Sequence, residues 1–389
     1  MNISLMDEPV IEYKYIYAKT VMSSAEYGIS EYNSKYQVRG ASSLNYDKKS
    51  YTLQLMDNEL DETNYSLLGM RENSKYALNS MYEDGSKMRD RYSLGLWKQI
   101  AASSKSEESS YYADYKYVEV FINNEYFGLY GLTEIMDEDT MGLVNDNKTQ
   151  DSLFFVSLGI DEWPTLEEIK KAREYKLSCG VMEMKFPKTL KSGYEYDKLY
   201  DFVDLIYGMD TGEYESLTEM MDIDNCIDYD ILLQTLCAVD NSWKNMFLLW
   251  DDDNKNMKMI PWDLDLTLGL MWHNDMTFPK EEFIKYAYFK EKGFNDIQEN
   301  GVMDRLKRDD KDGTIKKSLQ ARWKELRKDT LSDSNVNKEI TSMYNQINDS
   351  HAVERDTERW PKGYHNEDLD EITTFMQKRL EFLDEYYNK

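Results

Sequence analysis

The strongest constraint on the fold is a change in hydropathy period near residue 135. Before it, apolar residues recur in short alternating runs, among them Lys35–Arg39, Ser50–Leu55 and Tyr117–Phe121, separated by turn-forming residues. Alternation buries one face of each run, so this part is expected to form an antiparallel sheet. One helical stretch interrupts it at Ser86–Ala102, where Met88, Tyr92, Leu94 and Trp97 return at helical spacing behind Glu83-Asp84-Gly85-Ser86. Asn123-Asn124 joins Tyr117–Ile122 to Tyr126–Leu132 as a hairpin, because asparagine tolerates positive φ. From Met136 to Gln150 the chain turns polar and acidic, as a linker or hinge would. Ser152–Leu158 and Gly180–Phe186 then read as strands around a charged helix at Leu166–Tyr175. Beyond Tyr196 the pattern is largely helical, with apolar stripes at Leu199, Phe202, Val203 and Ile206 and from Ile227 to Cys237. After Asp240 it returns to strands for about twenty residues, and charged helices follow at Ser318–Lys328 and Leu369–Tyr387. The expected class is therefore α+β, with a sheet-rich part over 1–135 and a larger, mainly helical part over 136–389.

At 389 residues and 41% hydrophobic content the chain can build real cores. A net charge of −27 argues against nucleic acid and anionic membrane, which demand a lysine and arginine footprint. A basic protein substrate or a metal–nucleotide complex fits better, although an acidic surface also serves solubility. Three scattered cysteines, Cys179, Cys226 and Cys237, make neither a disulfide framework nor a tetrahedral zinc site. Three histidines, His273, His351 and His365, are too few for a histidine-rich metal centre. Acid–base and metal work must fall to carboxylates, lysine and asparagine. No apolar run reaches membrane-span length, and the opening Met-Asn-Ile-Ser-Leu-Met-Asp-Glu lacks the basic start and apolar core of a leader. Oligomeric state is not legible.

The informative segment runs from Asp240 to Gly269. Met246–Trp250 and Met257–Pro261 are apolar, and they flank the Asp251-Asp252-Asp253-Asn254 turn. A hairpin returns its ends to one place, so Asp240 and Asn245 are expected close to Asp263 and Asp265. Three carboxylates and an amide oxygen at one hairpin mouth form a hard, oxygen-rich site suited to magnesium bridged to phosphates. The turn aspartates are expected to satisfy local backbone groups instead. The order of parts is similar to that of protein kinases: an aspartate, an asparagine five residues later, a strand pair, then a metal-binding aspartate. A cation for nucleotide phosphates is offered by Arg39-Gly40-Ala41-Ser42-Ser43 followed by Asp47-Lys48-Lys49-Ser50-Tyr51, small residues in a turn and then lysines entering a strand. Neither a Gly-x-Gly-x-x-Gly nor a Walker loop is present.

Together these pieces resemble the CotH family of kinase-like proteins, named for a spore-coat kinase. The matching residues are Val38–Ser43 with Lys48–Tyr51, Asp84–Arg89, Val118–Tyr130 with Glu134, Asp240–Asn245, and Ile260–Asp265, in family order. The resemblance implies an atypical protein-kinase-like two-lobed fold, ATP as phosphoryl donor, Mg2+ as cofactor, and Ser/Thr of a protein, basic and serine-rich, as acceptor. It implies Asp240 as the catalytic aspartate and Asn245 and Asp263 as metal ligands, while Asp265, read from its place at the hairpin mouth, is a second-metal or orienting carboxylate. Lys49, with Lys48 as the alternative, would contact phosphate, Arg39 would support it, and Glu134 would lie near the nucleotide. Two departures from ordinary kinases stand out: Cys237-Ala238-Val239 precedes Asp240 where a His-Arg is usual, and Gly269 follows Asp263 by six residues. An inactive kinase-like binding module, or a kinase fold transferring AMP or an amino acid, remains open at this point.

Overall fold

The computed structural model describes residues 1–5, 15–105, 111–143, 152–158, 163–175, 179, 181–188, 194–208, 211–238, 240–242, 244–270, 301–364 and 369–388. Gly180, Val239, His273, His365 and residues 144–150 of the expected linker lie outside them. The chain divides into two compact units, each discontinuous in sequence. The first takes Met1–Gly95, Ala113–Thr140 and Lys338–Ile372, and the second takes Leu96–Tyr112, Met141–Asn337 and Thr373–Lys389. The contiguous division at residue 135 thus differs from the observed one, because residues from the C-terminal region return to the first unit.

The first unit is a closed barrel of seven strands, β1 (Asn2–Leu5), β2 (Ile16–Ser24), β3 (Gly28–Arg39), β4 (Ser50–Met56), β5 (Lys75–Asn79), β6 (Tyr115–Ile122) and β7 (Glu125–Glu134), in the order β1-β2-β3-β4-β5-β7-β6. All pairs are antiparallel except the closure, where β1 runs parallel to β6 with Ile3 opposite Ile122. That parallel pair corrects the all-antiparallel expectation. Ala18, Leu53, Leu55, Tyr76, Leu78, Val118, Val120, Tyr130 and Leu132 fill the interior, following the period-two pattern. Asn123 and Asn124 make the β6–β7 turn with φ of 50° and 69°, the left-handed conformation that asparagine accepts more readily than most residues.

Helix α1 begins at Arg89 and runs to Ala102, three residues later than expected. Lys87 stands at φ 60° just before it, and the Asp84 carboxylate accepts from the Arg89 amide at 2.8 Å, so Asp84 to Met88 form the helix entry rather than its first turn. Helices α8 (Asp333–Asn348) and α9 (Ala352–Arg359) come from the C-terminal region, and α9 packs on β7.

In the second unit four antiparallel strands, β8 (Leu153–Ser157), β9 (Met182–Phe186), β10 (Met246–Asp251) and β11 (Asn256–Pro261), lie in the order β11-β10-β8-β9. Helices α2 (Leu166–Tyr175), α3 (Asp197–Tyr207), α4 (Thr211–Met220), α5 (Ile223–Leu236), α6 (Gly301–Arg308), α7 (Thr314–Leu326) and α10 (Leu369–Tyr387) complete the described helices. The expected α3 stripe, Leu199, Phe202, Val203 and Ile206, is its buried face. Helix α5 is capped by Asp222, whose carboxylate accepts from the Asn225 amide at 3.0 Å, and it ends where Cys237 turns left-handed at φ 49°. A mixed α+β architecture is the result. Among the described residues no helix is long and apolar enough to cross a membrane.

Candidate functional site

The buried helix α5 delivers the chain to Asp240, and the β10–β11 hairpin carries it away and back. The hairpin pairs Met246 with Pro261 and Asp251 with Asn256. Its ladder extends one step further, with the Trp262 amide donating to the Asn245 carbonyl at 2.9 Å. Asn245 and Asp263 therefore flank the same mouth. Both are left-handed, at φ 52° and 57°, a backbone state that asparagine and aspartate adopt at lower cost than other non-glycine residues.

Asp240 is buried, and its Oδ2 accepts from the Asn245 side-chain Nδ2 at 2.8 Å and from Lys244 Nζ at 3.1 Å. Asp263 is exposed and Asp265 half-buried. Among the described residues no three His, Cys, Asp or Glu side chains gather in a way that could hold a metal ion. The donor set is nevertheless of the right chemistry for magnesium, which is commonly held through one or two protein oxygens and completed by phosphate and water. Asp263 and the Asn245 carboxamide oxygen are the groups that fit.

Asn241 holds this arrangement together and was not picked out from the sequence. Its carboxamide N–H groups donate to the carbonyls of Asn245 at 3.1 Å and Trp262 at 2.7 Å, its backbone carbonyl accepts from the Tyr229 hydroxyl at 2.8 Å, and its Oδ1 is buried without a hydrogen-bond partner. Asn225 does similar work one turn into α5, accepting from the Met259 amide at 2.7 Å and donating to the Met259 carbonyl at 3.0 Å, which ties the edge strand β11 to the helix. Both side chains are buried, where a polar group without partners is costly.

The turn aspartates behave as local structure. Asp251 accepts from the amides of Asp253 and Asn254 and from Lys258 at 3.0 Å. Burial opposes its charge, but Lys258 and these amides outweigh that and hold its carboxyl below the usual range.

The remaining candidates belong to the first unit. Arg39 ends β3 opposite Ser50. Gly40 follows at φ 126°, where a Cβ would lie 1.9 Å from the Ser43 hydroxyl, so only glycine makes this turn. Lys49 donates to the carbonyls of Leu44 and Tyr46, bracing the 3-10 turn at Ser42–Asn45. Lys48 is sealed from solvent and donates to the Leu129 carbonyl at 2.6 Å and to Asp356 at 2.7 Å. Glu134, also buried, is taken up by the Arg71 amide and guanidinium and by the Asp114 amide at 2.9 Å. It is thus a bracket at the end of β7, and neither lysine is among these partners.

A family model described as CotH kinase protein matches residues 36–383. The chain belongs to the CotH family. Inner spore coat protein H of Bacillus subtilis (strain 168) is 23% identical over 264 residues, which cover 67% of this CotH chain. The match spans 63% of that relative's length. Membership places the chain among kinase-like proteins, in keeping with its α+β build.

Proposed function

We propose that this CotH chain is an ATP- and magnesium-dependent phosphotransferase that places the γ-phosphoryl group on a serine or threonine hydroxyl of a protein, with the two-lobed build of an atypical kinase. The observation that carries the reading is the Asp240–Asn245 side-chain hydrogen bond at the mouth of the β10–β11 hairpin, with Asp263 on the returning strand end, inside a chain matched to a kinase family over 36–383. The Asp-x-x-x-x-Asn spacing alone would be weak; its folding into one mouth gives it weight.

In this reading Asn245 and Asp263 hold magnesium, which neutralises phosphate charge when bound, and Asp265 orients them. A lysine of the Lys48-Lys49 pair meets the phosphates, Arg39 supports the turn beside it, and Glu134 fixes the strand end near the nucleotide. Asp240 aligns the acceptor hydroxyl. The bond from the γ-phosphorus to the bridging oxygen breaks as the hydroxyl oxygen bonds to phosphorus; the proton passes to Asp240 and ADP leaves. The net charge of −27 favours a basic acceptor.

A second reading, a kinase-like module without transfer activity, draws on the Lys244 ion pair to Asp240, since a carboxylate paired to lysine is a poorer proton acceptor. Intact-mass measurement after incubation with ATP, Mg2+ and a basic serine-rich acceptor separates them. Phosphate increments that vanish in Asp240→Ala and Asp263→Ala support the kinase. Absence of any increment supports the module, and an AMP- or amino-acid-sized increment would replace the phosphoryl assignment.

A further inference from the structure

Within the second unit, α3 and α4 pack together, and with Trp250 at the turn end of β10 they leave an open groove of about 380 Å3. Helical spacing sets Lys198 and Asp201 on one face of α3, Asp204 follows them, and Glu219 and Met220 come from the last turn of α4. One wall is the Trp250 indole, 5% exposed, and the Lys198 ammonium lies over its ring at 4.5 Å. An aromatic face attracts a cation, and more strongly where water is kept away. This ring is therefore already a cation site, occupied by the chain's own lysine.

The groove carries more negative charge than that lysine balances. Asp201, Asp204 and Glu219 line it, all exposed, against one ammonium. Among the described residues none of these carboxylates forms a hydrogen bond or an ion pair, and the Trp250 indole N–H has no hydrogen-bond partner. Other acidic groups of the same unit are paired, Asp228 with Arg322, Asp230 with Lys307 and Asp251 with Lys258. Burial raises the Asp201 carboxyl above its usual range; Lys198 opposes that, and Asp197 and Asp204 add to it. Like charges held together in this way gain from a further cation.

We propose that this groove docks a lysine- or arginine-bearing segment of the protein acceptor, one cation taking the Trp250 face from Lys198 while the three carboxylates meet the rest of its charge. The inference rests on the phosphotransferase reading above. Charge selects the occupant: the groove is acidic, and a second copy of this chain, at −27, is a poor source of a basic segment. Position agrees with it. Trp250 lies on β10, whose other end, Met246, opens the hairpin mouth, about 13 Å away at the rise of a strand. A basic segment held in the groove reaches the mouth through an extended spacer of about four residues or more.

The test is fluorescence anisotropy with the full chain and a labelled peptide made of an arginine cluster, a short Gly/Ala spacer and one serine, in physiological salt without ATP. Asp201→Asn, Asp204→Asn and Glu219→Gln together should weaken binding about tenfold, about two- to threefold for each exposed charge. Neutralising Glu26, Glu59 and Glu125 instead, exposed on the first unit, should change it by about twofold at most, because salt screens distant charge. Lys198→Met should tighten binding about threefold, since it removes the competing cation. With Mg·ATP present, the triple groove variant should raise KM for this peptide and leave kcat and the KM for ATP unmoved. Unchanged affinity in the groove variant, an equal loss in the control variant, or weaker binding in Lys198→Met would overturn the proposal. Spermidine displacing the peptide at the peptide's own affinity would assign the groove to a free polyamine and overturn it too. Absence of phosphate transfer by the parent would overturn the phosphotransferase reading, while the anisotropy series would still decide whether the groove binds basic chains.

Discussion

Asn241→Ala is the sharpest probe of how the hairpin mouth is held. Asn241 is fully buried, and truncation removes both N–H donors that reach Asn245 and Trp262. The Asn245 carbonyl keeps the Trp262 amide at 2.9 Å, but the Trp262 carbonyl loses its Asn241 donor. At about 1 kcal/mol for each lost hydrogen bond, and more where a carbonyl is left poorly served, the local cost is about 1–3 kcal/mol. Opening of the mouth then becomes about 5- to 150-fold more frequent. Hydrogen exchange of the Trp262 amide reads this directly, since its protection depends on the closed mouth. Asn241→Asp should be worse than alanine, because it sets a carboxylate against two carbonyl oxygens. Unchanged exchange at Trp262 in Asn241→Ala, with global melting also unchanged, would refute the claim that Asn241 staples Asn245 to the returning strand.

Three further outcomes follow from the same geometry. Asp263→Asn keeps a residue that tolerates φ 57° on an exposed position, so stability should stay within about 0.5 kcal/mol in urea unfolding, while phosphate transfer falls at least about a hundredfold if Asp263 holds the metal. Burial works against the Asp84 charge, but Arg89, the Ser86 hydroxyl and the Arg89 amide together hold its carboxyl below the usual range. A depressed carboxyl stabilises above its unfolded pKa and loses that contribution as pH falls through the folded value, so Asp84→Asn should flatten the acid limb of a stability profile below about pH 4. Gly128→Ala should cost about 1–3 kcal/mol from backbone strain alone, and should loosen α9 as well because its Cβ strikes Asp356; thermal melting and exchange of the Leu129 amide check both.

What was legible in the sequence was local. The α3 stripe, the Asn123-Asn124 turn and the apolar arms of the β10–β11 hairpin each announce themselves within a dozen residues, since side-chain period and turn chemistry are properties of neighbours. The barrel closure was not, because Ile3 meets Ile122 through a parallel pairing that no adjacent turn dictates. Nor was the return of Lys338–Ile372 to the first unit, for α9 reads as a short polar helix whose buried Asp356 matters only once Lys48 is beside it. Asn241 was legible in part: it lies inside the Asp240–Asn245 motif, but spacing drew attention to the ends rather than to the amide that joins them to Trp262.

The two left-handed residues at the mouth show why the motif's residue types carry conformational information as well as chemistry. A non-glycine residue in this region costs about 1–2 kcal/mol, less for Asn and Asp, whose side chains bond locally. Asn245 meets that cost while donating to Asp240, and Asp263 does so next to Trp262, which is locked to Asn245 by the ladder. An alanine at either position therefore changes backbone preference and chemistry at once. The Asp263→Asn exchange keeps the first and alters the second, so it separates the metal-holding role of Asp263 from its role in shaping the turn.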